Sequence, residues 1–127
     1  MRLFGWIVTA FVLALGAGCG PAAPTLAGGK PVAHWLTALH DPDPKERREA
    51  ADKLGNVGPA DAAACPALVE ALHDPDAQVR GKAILGLTKC GAAAKSALPT
   101  LQDLKEHDAD AGVRDYAGKA VAKIQGQ

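Results

Sequence analysis

The chain has 127 residues, room for one domain at most. Fourteen Lys and Arg side chains balance 14 Asp and Glu, so no strong field recruits nucleic acid or an acidic surface. Aromatic residues make up only 4% of the chain, alanine is abundant, and no run alternates β-branched with polar residues; this argues for an all-α protein with a thin Ala/Leu-rich core.

The first stretch, MRLFGWIVTAFVLALGAGCG, carries one arginine, then an apolar run of about 13 residues from Leu3 to Leu15, then small residues up to Cys19. A transmembrane helix needs about 20 apolar residues. A basic start, an apolar middle and a small-residue ending instead have the form of a secretory signal. Leu15-Gly16-Ala17-Gly18-Cys19 resembles a bacterial lipobox. That resemblance implies lipidation of Cys19 and removal of residues 1–18 as a lipoprotein-type signal peptide. The leucine usual three residues before the cysteine is Gly16 here, with Leu15 one further back. An ordinary signal peptide cut near the same place and a retained membrane anchor are the alternatives. Without residues 1–18 the chain keeps 13 basic and 14 acidic side chains, so composition offers no polybasic supplement to membrane binding. Lipid chains would have to hold it, and one acyl chain binds only marginally. Residues 19–30, rich in Gly, Pro and Ala, read as a flexible tether.

From Pro31 the chain repeats itself. Ala38-Leu39-His40-Asp41-Pro42-Asp43 returns as Ala71–Asp76 at an offset of 33 residues. A looser copy ends in His107-Asp108-Ala109-Asp110 at an offset of 34, one residue having been inserted in the preceding helix. The copies divide residues 31–125 into about 31–58, 59–91 and 92–125, and each reads as two helices. Val32, Trp35, Leu36 and Leu39 lie at i, i+3, i+4 and i+7, as do Cys65, Leu68, Val69 and Leu72; Leu98, Leu101 and Leu104 form a thinner third stripe. The second helices carry Ala50/Leu54, Ala83/Leu87 and Ala117/Val121. Asp43, Asp76 and Asp110 stand where N-caps belong. In the first copy Asp43-Pro44-Lys45-Glu46 predicts a capping box with Pro at the first helical position. Gly55, Gly58 and Gly91 are expected to close the second helices.

A period near 33, paired helices, Asp74-Pro75-Asp76-Ala77-Gln78-Val79-Arg80 at the turn and Leu54-Gly55-Asn56-Val57-Gly58 at the helix end resemble HEAT repeats, closest to the PBS-lyase HEAT-like type. The resemblance covers roughly Pro31–Gln125 and implies a short α-solenoid of three helical hairpins. Its implied role is protein–protein interaction through the concave helical face, with no chemistry and no cofactor. It also implies that Arg47, Arg80 and Arg114, one per copy, pair with acidic residues of the turn or the next repeat. Glu46 stands in the place of Val79, which suits a more exposed terminal repeat, and Gly112 and Gly118 weaken the last helix by about 1 kcal/mol each.

The sharpest chemical candidates are His40, His73 and His107, each followed by Asp. Deoxyhypusine hydroxylases, HEAT-like enzymes, bind iron through His-Glu pairs. The pairs here are His-Asp at a helix–turn junction. Neighbouring helices lie about 8–10 Å apart, against ligand distances near 2 Å, so a metal shared between copies is disfavoured. A His at a helix C-terminus and an Asp-Pro turn explain the pairs without a ligand. His34 and Arg48 are expected at the surface. Cys65 begins the first helix of the second copy and Cys90 ends its second helix. An antiparallel pair brings those ends together, so the two form either a disulfide in an oxidising compartment or two buried thiols. No phosphate loop, C-x-x-C or H-E-x-x-H occurs, and the one serine, Ser96, sits at a helix start. The expectation is a non-catalytic module at the bacterial cell envelope, held to a membrane through Cys19 and binding an unidentified protein. An accessory subunit of a larger envelope complex is the alternative, and an enzyme of bilin-lyase or metal-dependent hydroxylase type is the remote one.

Overall fold

A computed structural model describes residues 23–127. The signal peptide expected over 1–18, and Cys19, lie outside the described residues. The described chain is the all-α stack of three helical hairpins that the repeat predicts. The first helices are α1 (Val32–Ala38), α3 (Ala64–Ala71) and α5 (Leu98–His107), and the second helices are α2 (Pro44–Val57), α4 (Ala77–Lys89) and α6 (Ala111–Gln125). A 3-10 turn, Gly58–Ala60, joins the first pair to the second, and a longer one, Gly91–Ala97, joins the second to the third.

The apolar stripes dictate how the pairs stack. Trp35, Leu68 and Leu101 point into the core from the first helices, and Leu54, Leu87 and Ile124 from the second. Fully burying a leucine contributes about 1.5–3 kcal/mol. Among the described residues no polar or charged residue is buried as a whole, and the side chains that come nearest, Asp108 and Asp74, are 4% and 9% exposed. The second helices lie side by side, α4 between α2 and α6, and the first helices pack against them. The thin core expected from composition is real at Ala50, Ala83 and Ala117, all completely buried. These small side chains let the helices approach.

The closest approach was not legible as such. Gly55 does not close α2; the helix runs through it and stops at Gly58, whose φ of 52° is left-handed. Gly55 instead faces Gly86 of α4. A Cβ on Gly86 would stand 2.8 Å from the Gly55 Cα, and one on Gly55 would stand 2.9 Å from the Gly86 Cα. Both obstacles are backbone, which cannot swing aside. Gly91 closes α4 in the left-handed conformation, with φ 61°, as its position suggests.

The tether expected to reach Lys30 ends earlier. Leu26–Ala27 (β1) and Lys30–Pro31 (β2) form a two-stranded antiparallel ribbon. Gly28 and Gly29 make its turn at φ 57° and 79°, the left-handed pair that a two-residue hairpin favours. The ribbon is packed: Ala27 is buried, and its carbonyl accepts a 2.8 Å hydrogen bond from Trp35 Nε1. A buried indole N–H needs an acceptor, so Trp35 draws the preceding chain onto the first repeat.

The capping box also resolves differently. Asp43 accepts from the Lys45 N–H, as a cap should, but its own N–H goes to Asp41 Oδ1 at 2.8 Å rather than to Glu46. Glu46 is exposed where Val79 is fully buried, as the terminal position predicts.

Helix propensity alone favours alanine over glycine by about 0.8–1.0 kcal/mol. Gly86→Ala is nevertheless expected to destabilise the fold by about 1–3 kcal/mol through overpacking against Gly55. Gly118→Ala, where a Cβ meets only the Lys105 side chain at 3.7 Å, is expected to stabilise it by up to about 1 kcal/mol. Urea unfolding of the two variants should move the midpoint in opposite directions.

Candidate interaction surface

The turn aspartates and the once-per-repeat arginines form one relay. Asp41, Asp74 and Asp108 each turn a carboxylate oxygen onto the N–H two residues on, at 2.8, 2.9 and 2.8 Å. The residues receiving that support, Asp43, Asp76 and Asp110, are the N-caps of α2, α4 and α6. Arg47 crosses to the next repeat: Nε and Nη2 donate to Asp74 at 2.9 and 3.3 Å, while Nη1 donates to the Asp41 and Pro42 carbonyls of its own turn. Arg80 repeats the arrangement with Asp108 at 2.9 and 3.0 Å and with the Asp74 and Pro75 carbonyls. Arg114 holds only its own turn, through the Asp108 carbonyl, and has no carboxylate partner among the described residues.

These pairs are mostly out of water. The Asp108 side chain is 4% exposed and that of Arg80 is 14%. Burial alone pushes the Asp108 carboxyl up. The Arg80 hydrogen bond, the Asp110 N–H and the charges of Arg80 and Arg114 outweigh it, so the group is held below the usual carboxylate range.

The histidines beside these aspartates do not share their role. His40 and His73 are exposed just past α1 and α3, where i→i−3 hydrogen bonds tighten the chain. The extra residue of the third copy lets α5 run a step further. Asp108 donates its N–H to the Leu104 carbonyl, four residues back, and His107 is inside the helix. There it pairs with Asp103 at 3.0 Å, both exposed, so His107 is not in an equivalent position to the other two. Among the described residues no three His, Cys, Asp or Glu side chains are placed to hold a metal ion. His34 is exposed, with its ring edge-on to Trp35 and Nε2 3.2 Å from Lys30 Nζ. Ser96 is exposed within the 3-10 turn ahead of α5.

Among the described residues the second helices carry a concave surface that exposes two large apolar side chains together. A groove of about 280 Å³ runs between α2, α4 and α6 with no wall from a first helix. Leu85 and Tyr116, both 41% exposed, lie in it; the only other large exposed apolar side chain among the described residues is Leu26. Gly81 forms its floor beneath the Tyr116 ring. Arg48, expected at the surface, is half-buried at the rim, bonded to Gln78, and its Nε is buried without an acceptor. Lys82, held by Asp52 at 3.0 Å, closes the side.

The protein family described as HEAT repeats matches residues 32–122. The chain belongs to the HEAT-repeat family. A search of curated proteins finds no match. HEAT repeats generally mediate protein–protein interaction, and in this HEAT stack the second-helix row carries a groove with Leu85 and Tyr116 exposed in it.

The middle HEAT repeat has one covalent tie. Cys65, at the start of α3, and Cys90, at the end of α4, are joined as a disulfide with their Cα atoms 6.1 Å apart. Both cysteines are buried. The tie closes the α3–α4 hairpin at the end opposite its turn.

Arg80→Ala should cost about 2–4 kcal/mol, because it leaves Asp108 buried and unpaired. Arg114→Ala, which removes only a bond to a carbonyl, should cost about 1 kcal/mol. Asp108 has a lowered folded pKa, so its contribution is complete above about pH 4 and is lost as pH falls through the folded value. Denaturant midpoints measured against pH should show that acid-side slope weakened in Asp108→Asn. For the disulfide, the sequence separation of 25 sets the loop. Oxidised protein should be more stable than reduced by about 3.5 kcal/mol in the chain-entropy account, and denatured unreduced protein should show no free thiol at Cys65 or Cys90.

Proposed function

We propose that the protein is an exported, lipid-anchored HEAT module that performs no chemistry and binds a protein through the groove between α2, α4 and α6. The carrying observation is that Leu85 and Tyr116 stay exposed together over a glycine floor. Exposed aromatic and aliphatic side chains in a concave site are what a partner's apolar anchor desolvates. The cell-envelope location rests on the N-terminal sequence alone: a signal-like run ending in the lipobox-like cysteine Cys19. The module is non-catalytic in this reading because the groove holds no nucleophile beside a base; its ionisable side chains are Arg48, Lys82, Asp110 and Tyr116.

The test is photo-crosslinking in intact cells from two positions. A crosslinking residue at 116 should give one dominant protein adduct, and one at 102, exposed on α5, should not. Leu85→Asp should abolish the adduct. With the partner in hand, Tyr116→Ala should weaken binding about 30-fold, the roughly 2 kcal/mol of an interfacial hot spot, while leaving helicity unchanged. Equal adducts from both positions would refute the groove. Fatty-acid labelling that survives Cys19→Ala would refute the anchor.

A further inference from the structure

Near-zero net charge hides a separation of charge within the fold. The second helices run side by side in one direction, so their C-termini share an edge with the N-terminal ribbon and both 3-10 turns. Contacts along this edge are direct. Lys53 lies against Gly28 of the ribbon, Lys89 Nζ donates to Asn56 Oδ1 at 2.9 Å, and Gly91 past α4 abuts the Gln127 side chain past α6. Lys30, Lys53, Lys89, Lys95 and Lys123 are all found here, and none pairs with a carboxylate among the described residues. Asp61 is the one acidic residue between these helix ends, in the linker after Gly58–Ala60. At the opposite edge Asp41, Asp43, Asp74, Asp76, Asp108 and Asp110 outnumber Arg47, Arg80 and Arg114.

Helix dipoles explain part of this. Cations at the ends of α4 and α6 are favoured, which accounts for Lys89 and Lys123. Lys95 likewise falls in the last turn of the 3-10 segment Gly91–Ala97, and Lys30 lies over the Trp35 ring, 5.1 Å from its centre, with its Nζ 3.2 Å from His34 Nε2. None of these contacts supplies a negative charge, so five lysines without a carboxylate partner among the described residues leave this edge open to an external anion.

The chain's own path says which anion. The first described residues, Ala23 to Leu26, enter at this lysine edge. Cys19 is six residues before Thr25, a reach of about 20 Å at full extension. Leu26, the most exposed large apolar side chain described at 59%, sits on the ribbon beside Lys53. An exposed apolar side chain among unpaired lysines, next to an anchoring point, matches the headgroup layer of a bilayer.

We infer that the lysine edge is a membrane-facing surface that binds anionic lipid headgroups, with Leu26 entering the headgroup layer and the aspartate edge directed away from the bilayer. The inference rests on the proposed anchorage at the N-terminus. It gives the anchored module a fixed orientation, second helices upright and the α2–α4–α6 groove open sideways. Each lysine near an anionic surface is worth roughly a fivefold change in partitioning at low salt.

The full chain, purified from membranes and reconstituted into vesicles, is treated with a membrane-impermeant amine reagent and read by mass spectrometry. In vesicles containing phosphatidylglycerol, Lys53, Lys89, Lys95 and Lys123 should be protected several-fold relative to Lys45, Lys82 and Lys105. Protection should disappear in pure phosphatidylcholine and in about 0.5 M salt, where screening shortens to a few ångström. The double variant Lys89→Gln/Lys123→Gln should lower protection of Lys53 and Lys95. Equal labelling of both edges in anionic vesicles overturns the inference while leaving the anchor intact. Protection that is as strong on neutral vesicles assigns the edge to a contact between copies and also overturns it. A chain that fails to sediment with either vesicle overturns both the inference and the anchorage it rests on.

Discussion

The turn aspartate is the part on which the stack depends. Asp74 accepts the Asp76 N–H, which sets Asp76 as the cap of α4, and it receives the Arg47 guanidinium from the repeat before. Asp108 does the same for α6 and Arg80. One carboxylate therefore fixes a turn, starts a helix and registers two repeats. The arginine contributes from the other side by holding the carbonyls of its own turn. Apolar burial supplies most of the stabilisation, but leucine against leucine tolerates sliding. A two-pronged guanidinium–carboxylate contact at 9% exposure or less on the acid does not.

Much of this was legible because it is local or periodic. The offset of 33 residues, the apolar stripes, the capping aspartates and the recurrence of arginine each repeat in the chain, and repetition turns a weak local signal into a strong one. What escaped was contact between residues with no shared local pattern. Gly55 sits in a motif that looks like a helix end, and nothing near it reveals that Gly86, 31 residues on, needs the space. The ribbon at Leu26–Pro31 has a linker's composition, and only the indole N–H of Trp35 makes it structure. Asp41 stands in the sequence as half of a His-Asp pair, yet its carboxylate oxygen accepts the Asp43 N–H two residues on, while His40 is exposed.

The groove was the hardest feature to foresee, and the repeat itself explains why. Positions that build the stack recur: Arg47, Arg80 and Arg114, or Ala50, Ala83 and Ala117. The groove's most prominent side chains do not: Lys82 and Tyr116 share a register with Glu49, and Leu85 shares one with Asp52 and Lys119. Selection for folding writes the same residue in each copy. An interaction surface is written in the departures, which a search for periodicity discards.

The disulfide has a mechanical consequence. Cys65 and Cys90 enclose nearly all of the middle repeat, its turn included. Tension applied between the two ends of the chain would pass from one sulfur to the other and leave the intervening loop slack. About 85 Å of contour length, at roughly 3.5 Å per residue, is thereby withheld from extension. The outer repeats would pay out under load while the central hairpin kept its shape, and with it Asp74, the acceptor on which the first repeat must close again.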